Sequence, residues 1–176
     1  MTLFVDGYNV IFAAARKLPG FDMNQTEAAR EALLSLLAKF RALRADRVVV
    51  FFDGGPDAAH LPRHLTARGM EVIFSEAQSD ADSDIKAAVA RESNPRAITV
   101  VTSDAAICRL VERYGATVTD SAAFLDEIEA ALKESAIPRD EPIEKYQGSA
   151  GDDAAYWLRV FGEPDPKDGD DKDTSS

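Results

Sequence analysis

The chain has 176 residues, 45% of them hydrophobic, and a formal net charge of −11. This length suits one domain plus a tail, and the hydrophobic share supports a sizeable core. No apolar run is long enough to span a membrane, and the single cysteine, Cys108, excludes an internal disulfide and a Cys-based zinc cluster.

The charge argues at first against a nucleic-acid partner, but it is unevenly spread. Residues 1–138 hold 15 Lys/Arg against 20 Asp/Glu, a net of −5, and residues 139–176 hold 5 against 11, a net of −6. If a handful of the acids in the first part gather round a cation, the remaining surface there is nearly balanced. Met1 runs straight into an apolar stretch that Asp6 interrupts, which is not a signal-peptide pattern. A soluble, cytoplasmic protein is expected.

Thr2 to Val5 reads as a strand buried on both faces. Asp6 ends it, Gly7 breaks it, and Asn9 sits where a loop turns into a helix. Val10 to Lys17 is a short helix or turn closed by Pro19-Gly20. Gln25 to Arg44 is a long helix whose Leu33, Leu34, Leu36, Leu37, Phe40 and Leu43 form an apolar stripe. Arg47 to Gly54 repeats the opening pattern of strand, Asp53 and Gly. Asp57 to Arg68 is expected to be a short helix, and Met70 to Phe74 a third strand. Ser79-Asp80-Ala81-Asp82-Ser83-Asp84 opens a helix that runs to about Glu92, with capping-box spacing between Ser79 and Asp82. A fourth strand, Ala97 to Asp104, again ends on Asp, at the start of a helix over 104–114 that Gly115 stops. Cys108 falls on that helix beside Ile107 and Leu110 and reads as a core thiol. Thr117 to Thr119 is a fifth strand, and Ser121 to Glu134 a last amphipathic helix.

Strand and helix therefore alternate up to about residue 137. This implies an α/β domain with a parallel sheet of about five strands and helices on both faces. Residues 138–162 read as a polar linker and a short amphipathic helix over 149–161. The Tyr156, Trp157, Val160 and Phe161 side chains of that helix need a covering surface. Residues 163–176 are too polar to fold alone.

Asp6, Asp53 and Asp104 all close strands, and Asp82 lies at the helix start after the third. In an open parallel sheet the carboxyl ends of the strands line the ligand crevice. A topology with strands one, two and four side by side would gather these acids. Each also has a bland reading, as a turn or helix cap. Like charges so close repel, and a hard divalent cation removes the penalty. With carboxylate, amide and water as the donors on offer, Mg²⁺ or Mn²⁺ is the natural choice. Such an ion suits phosphoryl chemistry.

The stretches Val5-Asp6-Gly7-Tyr8-Asn9-Val10-Ile11, Val50-Phe51-Phe52-Asp53-Gly54, Asp82-Ser83-Asp84-Ile85 and Val101-Thr102-Ser103-Asp104 resemble the YacP-like branch of the NYN domains, within the PIN-like nucleases. Glu144-Lys145-Tyr146-Gln147-Gly148 and Tyr156-Trp157-Leu158 resemble an extension found in some members. The resemblance implies a PIN-like three-layer fold over residues 1–137, Mg²⁺ or Mn²⁺, and endonucleolytic hydrolysis of RNA phosphodiesters. By match, Asp6, Asp82 and Asp104 are the metal-site acids, with Asp53 near them and Asn9 positioning ligand or water. Asp84 competes with Asp82, and Asp82 is preferred. Where the family has a Glu after the Ile, this chain has Lys86.

The expected partner is RNA, including ribosome-associated or translation-related RNA. Arg16, Lys17, Arg63 and Arg68 flank the loops after strands one and two and are candidates for its phosphates. No Walker A or glycine-rich dinucleotide pattern occurs, so no nucleotide cofactor is expected. A haloacid-dehalogenase-like phosphatase needs an acid two residues after Asp6, where Tyr8 stands. The rival reading is a non-catalytic RNA-binding or scaffold module on the same fold.

Overall fold

The computed structural model describes residues 1–136, apart from 23, 45–46, 56–57, 59 and 77–78. The chain divides into Met1–Pro142 and Ile143–Ser176. The expected linker, C-terminal helix and acidic tail lie outside the described residues.

Six strands form one sheet in the order β3-β4-β2-β1-β5-β6. They are β1 (Thr2–Asp6), β2 (Arg47–Phe52), β3 (His64–Ala67), β4 (Met70–Phe74), β5 (Ile98–Val101) and β6 (Thr117–Thr119). All neighbours run parallel except β3 and β4. The central strands β1 and β2 are apolar almost throughout and buried on both faces, as a sheet covered on two sides requires. β2, β1 and β5 are adjacent, which is the arrangement that brings Asp6, Asp53 and Asp104 to one edge.

Helices α1 (Gly7–Ala14), α2 (Thr26–Arg44) and α5 (Ser121–Ala136) pack together on one face. Leu33, Leu36 and Leu37 of α2 are fully buried there. Helices α3 (Ala81–Arg91) and α4 (Ala105–Arg113) cover the other face. Their Ile85, Val89, Ile107 and Val111 close over Phe4, Phe51 and Val100 of the sheet. Each fully buried side chain of this size contributes roughly 1.5–3 kcal/mol by leaving water.

The segment expected to be helical over 57–68 differs. His64–Ala67 is a strand, antiparallel to β4, with Ala67 opposite Met70. It makes the sixth strand of the sheet. Arg68 and Gly69 both take positive φ, 53° and 75°. This is the two-residue hairpin geometry whose twist matches the flanking strands. Leu65 and Ala67 turn inward while His64 and Thr66 face solvent, a period of two that a helix does not have.

Candidate active site

Asp6 is the last residue of β1 and the N-cap of α1. Its Oδ1 accepts the Asn9 backbone N–H at 3.2 Å, so the cap reading is correct. Its Oδ2 accepts two further bonds, from Asn9 Nδ2 at 3.2 Å and from Thr102 Oγ1 at 2.9 Å. The residue is only 6% exposed. Burial pushes its carboxyl above the ordinary value. The Asn9 and Thr102 bonds oppose that shift, and the Asp53 charge adds to it. A carboxylate that only capped a helix would need neither this depth nor the Thr102 bond.

Asn9 works at both ends of its amide. Besides donating to Asp6, its Oδ1 accepts the Ser103 N–H at 3.3 Å. It ties the start of α1 to the loop after β5. Thr102, fully buried, does the same from the other side: it donates to Asp6 and accepts the Asp104 N–H at 3.1 Å. Sequence reasoning gave Thr102 no role of its own. The available signal was a hydroxyl standing where an apolar strand residue would continue the run from Ile98 to Val101.

Asp104 caps α4, with Oδ1 accepting the Ala106 and Ile107 N–H groups at 2.7 and 3.0 Å. Those bonds hold its carboxyl below the ordinary value. Asp53 is exposed, and its Oδ1 accepts the Ala81 N–H at 2.7 Å, fastening the start of α3 to the end of β2. Gly54 follows because the chain passes against the Ser75 carbonyl with no room for a Cβ, and Gly7 presses likewise on the Phe52 ring. The repeated Asp-Gly is thus a close-approach device at two strand ends.

The acidic run before α3 sorts into different tasks. The cap is Asp80, whose side chain accepts the Ser83 N–H at 2.7 Å; the Ser79/Asp82 capping box does not form. Asp84 Oδ1 meets Arg63 at 3.2 Å, and Arg63 also pairs with Glu76. Asp84 Oδ2 is buried with no hydrogen-bond partner among the described residues, and Asp82 lies half-buried at the same helix start without being the cap. Burial raises its carboxyl first, then the charges of Asp104 and Asp6 raise it further, with Lys86 offsetting part. Asp82 therefore feels the charges of both Asp104 and Asp6. Among the described residues no three His, Cys, Asp or Glu side chains stand as a ready-made metal cage.

The four basic candidates are unequally available. Lys17 is bonded to Asp126 at 2.8 Å, Arg63 to Glu76 and Asp84, and Arg68 to Glu31. Arg16 is exposed and forms no ion pair among the described residues. Cys108 is half-buried rather than fully in the core, and burial pushes its thiol up, away from reactivity.

A mostly parallel sheet with helices on both faces and acids at the carboxyl ends of adjacent strands defines a PIN-like α/β domain. The family model described as "YacP-like NYN domain" matches residues 3–153. The chain belongs to that family, a branch of the PIN-like nucleases. Two crystal structures of Rae1 (YacP) from Bacillus subtilis are similar to it. One superposes with a TM-score of 0.60 at 27% identity, covering 77% of each chain. The other, of a tryptophan-to-leucine mutant of that protein, gives 0.59 at 28% identity over 76% of this chain and 77% of that one. No curated protein matches the chain.

Proposed function

We propose that the chain is an endoribonuclease that hydrolyses RNA phosphodiester bonds at the crevice of Asp6, Asp82 and Asp104, with Mg²⁺ or Mn²⁺ as cofactor. The observation that carries this reading is Asp82. It lies at a helix start without being the cap, and its carboxyl is raised by burial and by the charges of two acids from other strand ends. Such mutual repulsion is what a cation relieves. The donors are all oxygen, which suits a hard divalent ion. An open arrangement suits Mg²⁺, which is usually held by one or two carboxylates together with water and substrate phosphate. When bound, the ion would supply charge neutralisation and a more acidic water. The chain's own contribution is positional: Asn9 and Thr102 hold Asp6 in place, and Asp53 holds α3, which bears Asp82.

The second reading is a non-catalytic RNA-binding or scaffold module. It is favoured by the structural tasks of Asp6, Asp53 and Asp104, each of which already accepts backbone N–H bonds. Incubating mixed-sequence RNAs with the chain and Mg²⁺ or Mn²⁺ separates the two. Cleavage that disappears with EDTA and with Asp82→Asn supports the nuclease. RNA binding without cleavage under either ion supports the module.

A further inference from the structure

Beside the crevice lies a cleft of about 1060 Å³ between the first two turns of α2 and the β2-β4-β3 side of the sheet. It is roughly the size of an ordinary small-molecule site. Its walls are apolar, from Phe52, Phe74, Leu65 and Ala67. Arg30 also lines it and is only 5% exposed. One Arg30 N–H donates to Tyr8 Oη at 2.9 Å, and the guanidinium lies 5.7 Å from the centre of the Phe74 ring. Among the described residues no carboxylate pairs with it. Tyr8 takes one of the guanidinium's five N–H donors, and Arg30 borders the cleft with the rest of its planar fork.

Glu27, Arg30, Glu31 and Leu34 follow one another at i, i+3, i+4 and i+7, so α2 turns them all toward the cleft. Glu31 is held by Arg68. The cleft thus offers apolar walls, buried donors and acidic acceptors at one helix face. Net positive charge is lacking, which disfavours a phosphate. A planar group with acceptors on one edge and donors on another fits. Guanine has that pattern, with O6 and N7 as acceptors and N2–H₂ as a donor. The cleft is also joined to the acids through the chain itself. Tyr8, which holds Arg30 and packs on Phe52 at 5.3 Å between ring centres, lies between Asp6 and Asn9, and Phe52 directly precedes Asp53.

We propose that this cleft receives one unstacked guanine of the RNA, and so sets which phosphodiester reaches the acids. The inference rests on the RNA reading above. Single-stranded RNA is commonly recognised through splayed bases held between side chains and read on their edges. Arg30 reads the acceptor edge and Glu27 takes the donor edge.

The test uses the full chain in EDTA, so that binding is read apart from cleavage. Fluorescein-labelled oligouridine octamers, with or without one internal guanosine, are titrated by anisotropy. The guanosine RNA should bind about tenfold tighter, the discrimination expected of one well-placed base contact. In Arg30→Lys, which loses the planar fork, and in Ala67→Leu, which fills the cleft from an edge strand, that ratio should fall to within about twofold. Ala67→Leu decides the matter if Arg30→Lys does not fold. Equal binding of the two RNAs by the wild type, or a guanosine preference that survives Ala67→Leu, overturns the proposal. If the RNA is still cleaved with Mn²⁺ in that case, only the guanine cleft is lost. If RNA is neither bound nor cleaved, the RNA reading fails with it.

Discussion

Thr102 Oγ1 donates a 2.9 Å hydrogen bond to Asp6 Oδ2 across 96 residues of sequence, and the same oxygen accepts the Asp104 N–H at 3.1 Å. One buried hydroxyl thus links two of the three crevice acids. Thr102→Val keeps the shape and removes both bonds. It should destabilise the protein by about 1–2 kcal/mol, the usual result of orphaning buried polar groups. It should also raise the Asp6 carboxyl further, since the Thr102 bond is one of the groups holding it down. If Asp6 must be ionised for cleavage, the acid limb of the pH–rate profile moves to higher pH. Thr102→Ser should restore both. A Thr102→Val profile that overlays wild type would mean that the bond is structural only.

Asp104 caps α4 and also bears on Asp82, and two substitutions separate these roles. Asp104→Asn keeps an acceptor for the Ala106 and Ile107 N–H groups, whereas Asp104→Ala removes it and should lower stability by about 1 kcal/mol. Both should reduce RNA cleavage by about 100-fold or more if the charge acts in the reaction. Asp104→Asn with full activity would confine the residue to capping. Chemical denaturation and initial cleavage rates on the same preparations give the comparison.

Among the basic candidates, Arg16 carries the expectation of phosphate contact. Arg16→Ala should weaken RNA binding and reduce the slope of log affinity against log salt by about 0.7–1. Lys17→Ala should do less, because Lys17 is already bonded to Asp126. Equal effects from the two, or none from Arg16, would assign the phosphate path elsewhere.

The alternation of elements was legible because the buried strands are continuous apolar runs and the helices are amphipathic, patterns that survive without knowledge of neighbours. The adjacency of β2, β1 and β5 was only a condition under which the strand-closing acids would gather, because strand order depends on long-range pairing, and the sheet meets that condition. What failed was local. His64–Ala67 is too short for its alternation to outweigh the helix formers around it, and its partner β4 becomes visible only through the Arg68-Gly69 turn. The cap of α3 was left open, with only the capping-box spacing of Ser79 and Asp82 noted, because Ser79, Asp80 and Asp82 all have capping chemistry. The choice depends on backbone angles, which leave Asp80 extended at φ −122° and ψ 160°. The roles of Thr102 and Arg30 depend on contacts between distant segments, Asp6 with Thr102 and Tyr8 with Arg30. No local pattern encodes these.

Acid stability should show two opposed slopes. Asp82 has a raised carboxyl in the folded chain, so the fold binds its proton more tightly than the unfolded chain does. The metal-free protein should therefore lose stability from this residue as pH rises from the ordinary aspartate value through the raised folded one. Asp104 is held below its ordinary value, so its contribution is present above that value and lost as pH falls through the lowered one. Melts in EDTA from about pH 3 to 7 should show Asp82→Asn reducing the first slope, to which the raised carboxyl of Asp6 also contributes, and leaving the second. A mutant whose curve parallels wild type throughout would contradict the charge coupling.

The most direct measurement of the shared acid site is a thermal melt of wild type and Asp82→Asn, each with EDTA and with saturating Mn²⁺. Asp82 suits this better than Asp6, since it is not the cap of its helix and its removal leaves no N–H of α3 without its partner. Without metal, Asp82→Asn should melt roughly 2–4 °C above wild type, because one repelling charge is gone. With Mn²⁺, wild type should gain more than the mutant, as a ligand stabilises in proportion to its affinity for the folded state. A mutant that melts at or below wild type in EDTA, yet gains as much from Mn²⁺, would contradict the assignment of Asp82, Asp104 and Asp6 to one cation-binding site.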